Sequence, residues 1–495
     1  MTERKSLFKS LSAIASSQII IGALGVVRSK ILALVLGPSG VGVFFTLQST
    51  LEFATNLFST GLNSSIVREV ASVNENTDDE LDLKRIVHGA HATSLLNGIL
   101  GGVVIFLSAD HISYLLFQNY DWNSELKILG GVIFLTLFFR ANISILEGRR
   151  RVREYTTIGI LSAFMSSVVS IIYVFMAKDQ AIFLILITVP VVNLFILLLY
   201  RRLLIFSGFT VTWSEIKIII SRLYSFGSVF FIAGLVTLFT EYAVKLSIVK
   251  YLGFSSVGGY FAAFSVASIY PNLISGSLVR DFFPRLVEVN SEGSKANALI
   301  NAQIELGLLL VLPGVLATII FRGDLLNLLY SSHFLFATDL ILLFVLGFVL
   351  RIVSWPMSYQ LVASDSKYTF MAIEIMSNLL LLSFLIPGIY YFAILGVGVA
   401  FALQYFCYML LLLIILWKKS AFKLGLLNRG LLMSFVGSVL IIFYIESNLD
   451  RILTNVITIS IMTAWIRFSV LRVLRDYYTI PDSVKRFLNS IKKKF

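Results

Sequence analysis

Runs of about twenty apolar residues follow one another almost from end to end of this chain, each closed by a short polar or basic stretch. A helix needs roughly 20 such residues to cross about 30 Å of hydrocarbon, and in that layer its backbone must satisfy itself. The pattern therefore calls for an all-α polytopic membrane protein. Composition agrees: 57% of residues are hydrophobic and 14% charged, too few charges to coat a soluble protein of 495 residues. The one cysteine, Cys407, lies inside an apolar run, which excludes a disulfide framework and a thiol–metal site. Met1 to Ser10 is short and basic and leads into a run too long for a signal-peptide core, with no small-residue cleavage pattern. It is expected to remain as the start of the first helix.

The spacing predicts fourteen spans, centred on Ile20, Phe53, Gly98, Thr136, Val168, Leu194, Leu235, Phe264, Leu309, Val345, Leu379, Ala402, Val436 and Ser460. A polar turn between the first two, Leu36-Gly37-Pro38-Ser39-Gly40-Val41-Gly42, returns as Leu252-Gly253-Phe254-Ser255-Ser256-Val257-Gly258, at an offset of about 216 positions. Val43-Phe44-Phe45 is echoed by Gly259-Tyr260-Phe261, and Arg140 stands before Tyr155-Thr156 much as Arg351 stands before Tyr368-Thr369. Several echoes in register indicate an internal duplication. Six spans separate the two turns, an even number, so both copies face the same side and the halves are related by a pseudo-twofold along the membrane normal. The expected domains are a first lobe over 1–205, a linker over 206–218, a second lobe over 219–419, two further helices over 420–472 and a basic tail over 473–495.

A net charge of +12 would suit a nucleic-acid binder, but its distribution does not. The basic residues gather in alternate loops: Arg149-Arg150-Arg151 with Arg153, Arg201-Arg202, Lys418-Lys419 with Lys423, and the tail with Lys485, Arg486, Lys492, Lys493 and Lys494. That asymmetry puts both termini in the cytoplasm. It leaves membrane lipid headgroups, not nucleic acid, as what the tail meets.

Charges inside spans carry the functional signal, because at bilayer depth each requires water or a partner. They are Arg28 and Lys30 in span one, Glu52 in span two, Arg140 in span four, Glu241 and Lys245 in span seven, Glu305 in span nine, Arg351 in span ten and Glu374 in span eleven. Their presence in both halves predicts a central polar cavity. Glu241 and Lys245, four apart, can pair on one helix face, whereas Arg28 and Lys30, two apart, cannot share one. His88 and His91 have no third ligand nearby, and neither a P-loop nor a GxGxxG turn opening a βαβ unit is present, so no metal or cofactor is expected. Gly396 and Gly398 read as close helix packing.

From Gln18 through the Leu36–Gly42 turn the chain resembles the polysaccharide flippases, the Wzx-type O-antigen translocases of the multidrug/oligosaccharidyl-lipid/polysaccharide exporter superfamily. Phe282-Phe283-Pro284-Arg285-Leu286 and Ile394-Leu395-Gly396-Val397-Gly398-Val399-Ala400 carry the same resemblance. Pro190-Val191-Val192 departs from the small-residue pattern that symmetry with span twelve would give span six. The resemblance implies a non-enzymatic transporter of the bacterial inner membrane. Its substrate would be an oligosaccharide on undecaprenyl pyrophosphate, turned from the cytoplasmic to the periplasmic leaflet, with a polysaccharide polymerase and a chain-length regulator as partners. Arg28, Arg140 and Arg351, with Lys245 and Lys30, would then meet the pyrophosphate, and Glu52, Glu241, Glu305 and Glu374 would pair with them, contact sugar or couple a proton. Three rivals stand beside this reading. A cation-coupled drug exporter should carry an acid in span one; a lipid II flippase shares the fourteen-span plan; a membrane glycosyltransferase would need longer outer loops than those holding Asp110, Asp121 and Asp324.

Overall fold

The computed structural model describes residues 2–59, 61–73, 80–177, 180–200, 213–225, 228–290, 292–364, 366–448 and 451–476. Among them every regular element is helical. The first half of the chain supplies α1 (Thr2–Ser59), α2 (Leu62–Ser72), α3 (Glu80–Phe117), α4 (Asn123–Gly148), α5 (Val152–Ala177), α6 (Ala181–Leu199) and α7 (Trp213–Ser225). The second supplies α8 (Ser228–Val289), α9 (Gly293–Ile320), α10 (Arg322–Leu329), α11 (Thr338–Ala363), α12 (Lys367–Phe392), α13 (Leu395–Ser420), α14 (Leu426–Asn448) and α15 (Arg451–Asp476).

Twelve of the described helices are long and apolar enough to cross a membrane. Two of these, Ser16–Ser59 in α1 and Gly234–Gly276 in α8, run 44 and 43 residues, about twice what a bilayer takes. Each breaks at a glycine in a backbone conformation closed to other residues: Gly37 at φ 63°, ψ −174°, and Gly253 at φ 79°, ψ 173°. Splitting both turns the twelve into fourteen crossing-length segments, and every predicted span centre falls inside one. The chain doubles back at the first break. Along a straight helix Arg28 and Glu52 would stand about 36 Å apart, yet they line one cavity.

The two breaks pack on each other. A Cβ on Gly42 would overlap the Phe254 carbonyl, and one on Gly258 would overlap the Pro38 carbonyl. Shifted by the repeat offset, Pro38 becomes Phe254 and Gly42 becomes Gly258, so the contact is its own mirror partner, as a local twofold requires. Phe45 stacks on its own counterpart, Phe261, with ring centroids 3.2 Å apart and planes 17° off parallel. Here the duplication read in the sequence becomes a symmetric contact.

Small residues set the other close approaches. A Cβ on Gly102 of α3 would lie 2.9 Å from the Gly130 carbonyl oxygen of α4, and one on Gly130 2.7 Å from that of Gly102. Between membrane helices such small-on-small contacts let backbones gain dispersion energy that bulkier side chains would block. Gly396 meets the backbone of Gly388 in α12, and Gly398 meets Leu340 and Leu343 of α11, the packing role expected of them. At one end of α3 and α4, the short amphipathic helices α2 and α7 bury Leu62, Ile66 and Val70, and Ile219 and Leu223, against Val87, Ala141 and Ile145. The four-residue spacing puts each set on one helix face.

By internal contacts the chain divides into two compact units, Met1–Phe261 with Asn327–Phe336, and Ala262–Leu326 with Ala337–Phe495. The first unit thus holds the first arm of α8 in addition to the expected first lobe. Of the expected linker, residues 206–212 lie outside the described residues and the remainder opens α7. Arg201, Arg202 and the lysines and arginine expected in the tail also lie outside them. In the second unit α9 anchors the last two helices. Asn301 accepts from the Gly425 backbone at 2.7 Å and from Asn428 at 3.1 Å, and the Arg472 guanidinium meets Glu305 at 3.2 Å.

Candidate functional site in the first unit

A cavity of about 260 Å³ opens among α1, α4 and α6 within the first unit. Arg28 comes from the first arm of α1, Gln48, Glu52 and Thr55 from the second, Thr136 and Arg140 from α4, and Pro190 and Asn193 from α6. The break at Gly37 makes this possible, since it returns the second arm alongside the first. Polar side chains survive here without unravelling their helices because hydroxyls bond back one turn: Thr55 to the Leu51 carbonyl at 2.7 Å, Thr136 to that of Val132 at 2.8 Å. In α6, Pro190 supplies no N–H to the carbonyl of Leu186, and both residues line the cavity.

The electrostatics centre on Glu52, which attracts both guanidiniums. Neither arginine closes an ion pair with it within 4 Å. Arg140 instead donates to Asn56 Oδ1 at 2.8 Å, and Gln48 Nε2 donates to Glu52 Oε1 at 2.9 Å. The Nε of Arg28 is buried with no hydrogen-bond partner among the described residues. Two cations against one carboxylate leave the cavity net positive. With a donor of Arg28 unspent, it suits an anionic oxygen group.

The second unit holds its own polar cluster. The Arg351 guanidinium lies 5.9 Å from the centroid of the Tyr405 ring and within electrostatic reach of Glu374, whose carboxylate accepts from the Tyr408 hydroxyl. Gln404 donates to Ser377 at 3.2 Å, repeating in α12 and α13 the Ser166–Asn193 bond of α5 and α6, also 3.2 Å, at the offset that relates Arg351 to Arg140.

The expected site residues therefore separate. Arg28, Glu52 and Arg140 meet in one cavity, and Arg351 and Glu374 form a second cluster. Lys30, which could not share a face with Arg28, donates to the Asn327 carbonyl at 2.7 Å and stays outside the cavity. Glu241 and Lys245 are one turn apart but close no ion pair; Glu241 acts on the Tyr260 hydroxyl from across the break at Gly253. Glu305, expected in a cavity, is held by Arg472 of α15, an arginine that hydropathy hid in the last span. His91 is taken up by Asn142 Oδ1 at 2.9 Å. The neutral polar groups Gln48, Asn56, Thr136 and Asn193 were missed, because an uncharged amide or hydroxyl in an apolar run gives no signal of which way it faces.

Broken hairpins with charges set between helices define a polytopic helical membrane fold, and solved structures share it. The chain is similar to the lipid II flippase MurJ in an inward closed conformation, with a TM-score of 0.67 at 14% identity, covering 95% of this chain and 99% of that one. It is also similar to an inward-facing multidrug resistance MATE family transporter of the MOP superfamily, with a TM-score of 0.63 at 14% identity, covering 83% and 98%. The sequence model of the polysaccharide biosynthesis protein family matches residues 31–339, and the chain belongs to that family. Among curated relatives it is similar to the lipid III flippase of Escherichia coli (strain K12), 24% identical over 430 residues, which span 83% of this chain and 99% of the relative. The lipid III flippase of Shigella flexneri matches to the same extent.

Proposed function

We propose that this protein is a flippase for lipid-linked oligosaccharides. It would carry an O-antigen or related repeat unit on undecaprenyl pyrophosphate from the cytoplasmic to the periplasmic leaflet by alternating access. The observation that carries this reading is the net positive Arg28–Glu52–Arg140 cavity inside the membrane spans. Guanidiniums that line a cavity and are not neutralised by a bonded carboxylate are the groups an anionic headgroup requires. Arg351, beside Tyr405 in the second unit, is proposed as a further anion-binding group. The first span of a cation-coupled drug exporter should hold an acid; here it holds Arg28, which favours an anionic cargo. Outward movement of anionic charge also runs with an inside-negative potential, worth about 2.3 kcal/mol per charge per 100 mV.

The test is complementation. Arg140→Ala and Arg351→Ala are each expected to abolish surface polysaccharide in a flippase-null strain while membrane levels of the protein hold. Normal polysaccharide ladders from both variants would remove the arginines from the mechanism.

A further inference from the structure

The cavity of the first unit holds more than an anion site, and its amides show what else it takes. Gln48 Nε2 donates to Glu52 Oε1 at 2.9 Å. A carboxylate only accepts, so this bond fixes which end of the amide is which. Gln48 Oε1 is left buried, with no hydrogen-bond partner among the described residues. Asn193 is set the other way: its Oδ1 accepts from Ser166 Oγ at 3.2 Å, leaving the Nδ2 donor unused. Thr55 and Thr136 commit their hydroxyl hydrogens to helix carbonyls and so offer only acceptors to the cavity. Arg28 Nε is a buried donor without a partner. Donors thus come from Arg28, Arg140 and Asn193, and acceptors from Gln48, Glu52 and the two threonines.

An ionised diphosphate diester has many acceptors and no donor. Alone it would satisfy the arginines and Asn193 but set its oxygens against Gln48 Oε1 and Glu52, and a buried acceptor left unmet is costly. A sugar hydroxyl or an acetamido N–H supplies the missing donor. A space of about 260 Å³ is small beside the roughly 300–1,000 Å³ of drug-sized pockets, so it suits a junction and not a whole oligosaccharide. We infer that the cavity takes the diphosphate together with the first sugar attached to it, and that Gln48, held in orientation by Glu52, reads a hydrogen-bond donor on that sugar. This rests on the flippase reading above and adds a specificity residue to it.

The test uses the full chain in lipid nanodiscs and calorimetric binding of farnesyl diphosphate, set against a panel of farnesyl diphosphohexoses and diphospho-N-acetylhexosamines. At least one sugar-bearing probe is expected to bind about tenfold more tightly than the bare diphosphate. Gln48→Leu should bring the two affinities together, whereas Arg140→Ala should weaken both. Gln48→Met, unbranched and of similar length, repeats the measurement should the leucine variant fail to fold. A panel with no member tighter than farnesyl diphosphate would overturn the inference. So would Gln48 variants that keep the preference or lose both ligands equally. Failure of the wild-type chain to bind farnesyl diphosphate at all would count against the flippase reading itself, and the inference would fall with it.

Discussion

Arg140 stands inside a span and Arg322 just beyond one, and their surroundings differ. Arg322, outside the spans, forks onto Glu446 at 2.9 and 2.8 Å and also meets the Ile319 carbonyl at 2.9 Å. The hydrogen bonds that it donates to Glu446 hold its pKa above the ordinary guanidinium value. This bidentate pair ties α14 to the end of α9 and is a stability element. Arg322→Ala would leave Glu446 partly buried without its partner, at a cost of about 1–3 kcal/mol. It is expected to lower the melting temperature in detergent, with Arg322→Lys recovering only part because the planar fork is lost. A wild-type melting curve for Arg322→Ala would refute the role. In sequence Glu305 and Glu52 look alike, each an acid in an apolar run. Only the positions of Arg472 and of the two cavity arginines separate a closed ion pair from a carboxylate lining a cavity.

Among the elements, the broken hairpins of α1 and α8 decide most. Their glycines were legible as a repeat, and the need for glycine is now physical: φ is positive at Gly37 and Gly253, while Gly42 and Gly258 touch backbone across the local twofold. A clash with a carbonyl cannot be relieved by a rotamer change. Gly42→Ala and Gly258→Ala are therefore expected to destabilise by about 1–3 kcal/mol each, seen as reduced folded yield and a lower melting temperature. Gly131→Ala in α4, where a Cβ would meet nothing within 4 Å, is the control and should be neutral or mildly stabilising. Equal behaviour of all three variants would mean that the turns do not pack as described. The start of α7, residues 213–218, lay within the stretch expected to be a linker. Beyond it, Ile219 and Leu223 of α7 lie four apart on one face, and their burial with α2 and α3 shows that this face belongs to a core.

For the molecule as a whole, topology rests on the charged turns. Arg150 sits exposed between α4 and α5 with φ 53°, in a turn that also carries Arg149 and Arg151. The positive-inside rule assigns this turn to the cytoplasm. In a Cys407→Ser background, Arg150→Cys is expected to resist a membrane-impermeant maleimide added to spheroplasts and to react in inverted vesicles. Labelling from the periplasmic side would invert the whole topology and, with it, the proposed direction of transport.

The sequence by itself determined the helical membrane class, the placing of the crossing-length segments and the repeated glycine turn. Hydrocarbon imposes a length on every span, and glycine-dependent turns repeat visibly, so both are written along one dimension. Which intramembrane charges share a space was settled by the tertiary structure. Arg28, Glu52 and Arg140 are joined through the fold of three helices, Lys30 and Glu305 are drawn off by partners distant in sequence, and the unpaired oxygen of Gln48 exists only because Glu52 fixes its amide. A charge in a span declares that it must be compensated; what compensates it depends on the neighbours that folding brings.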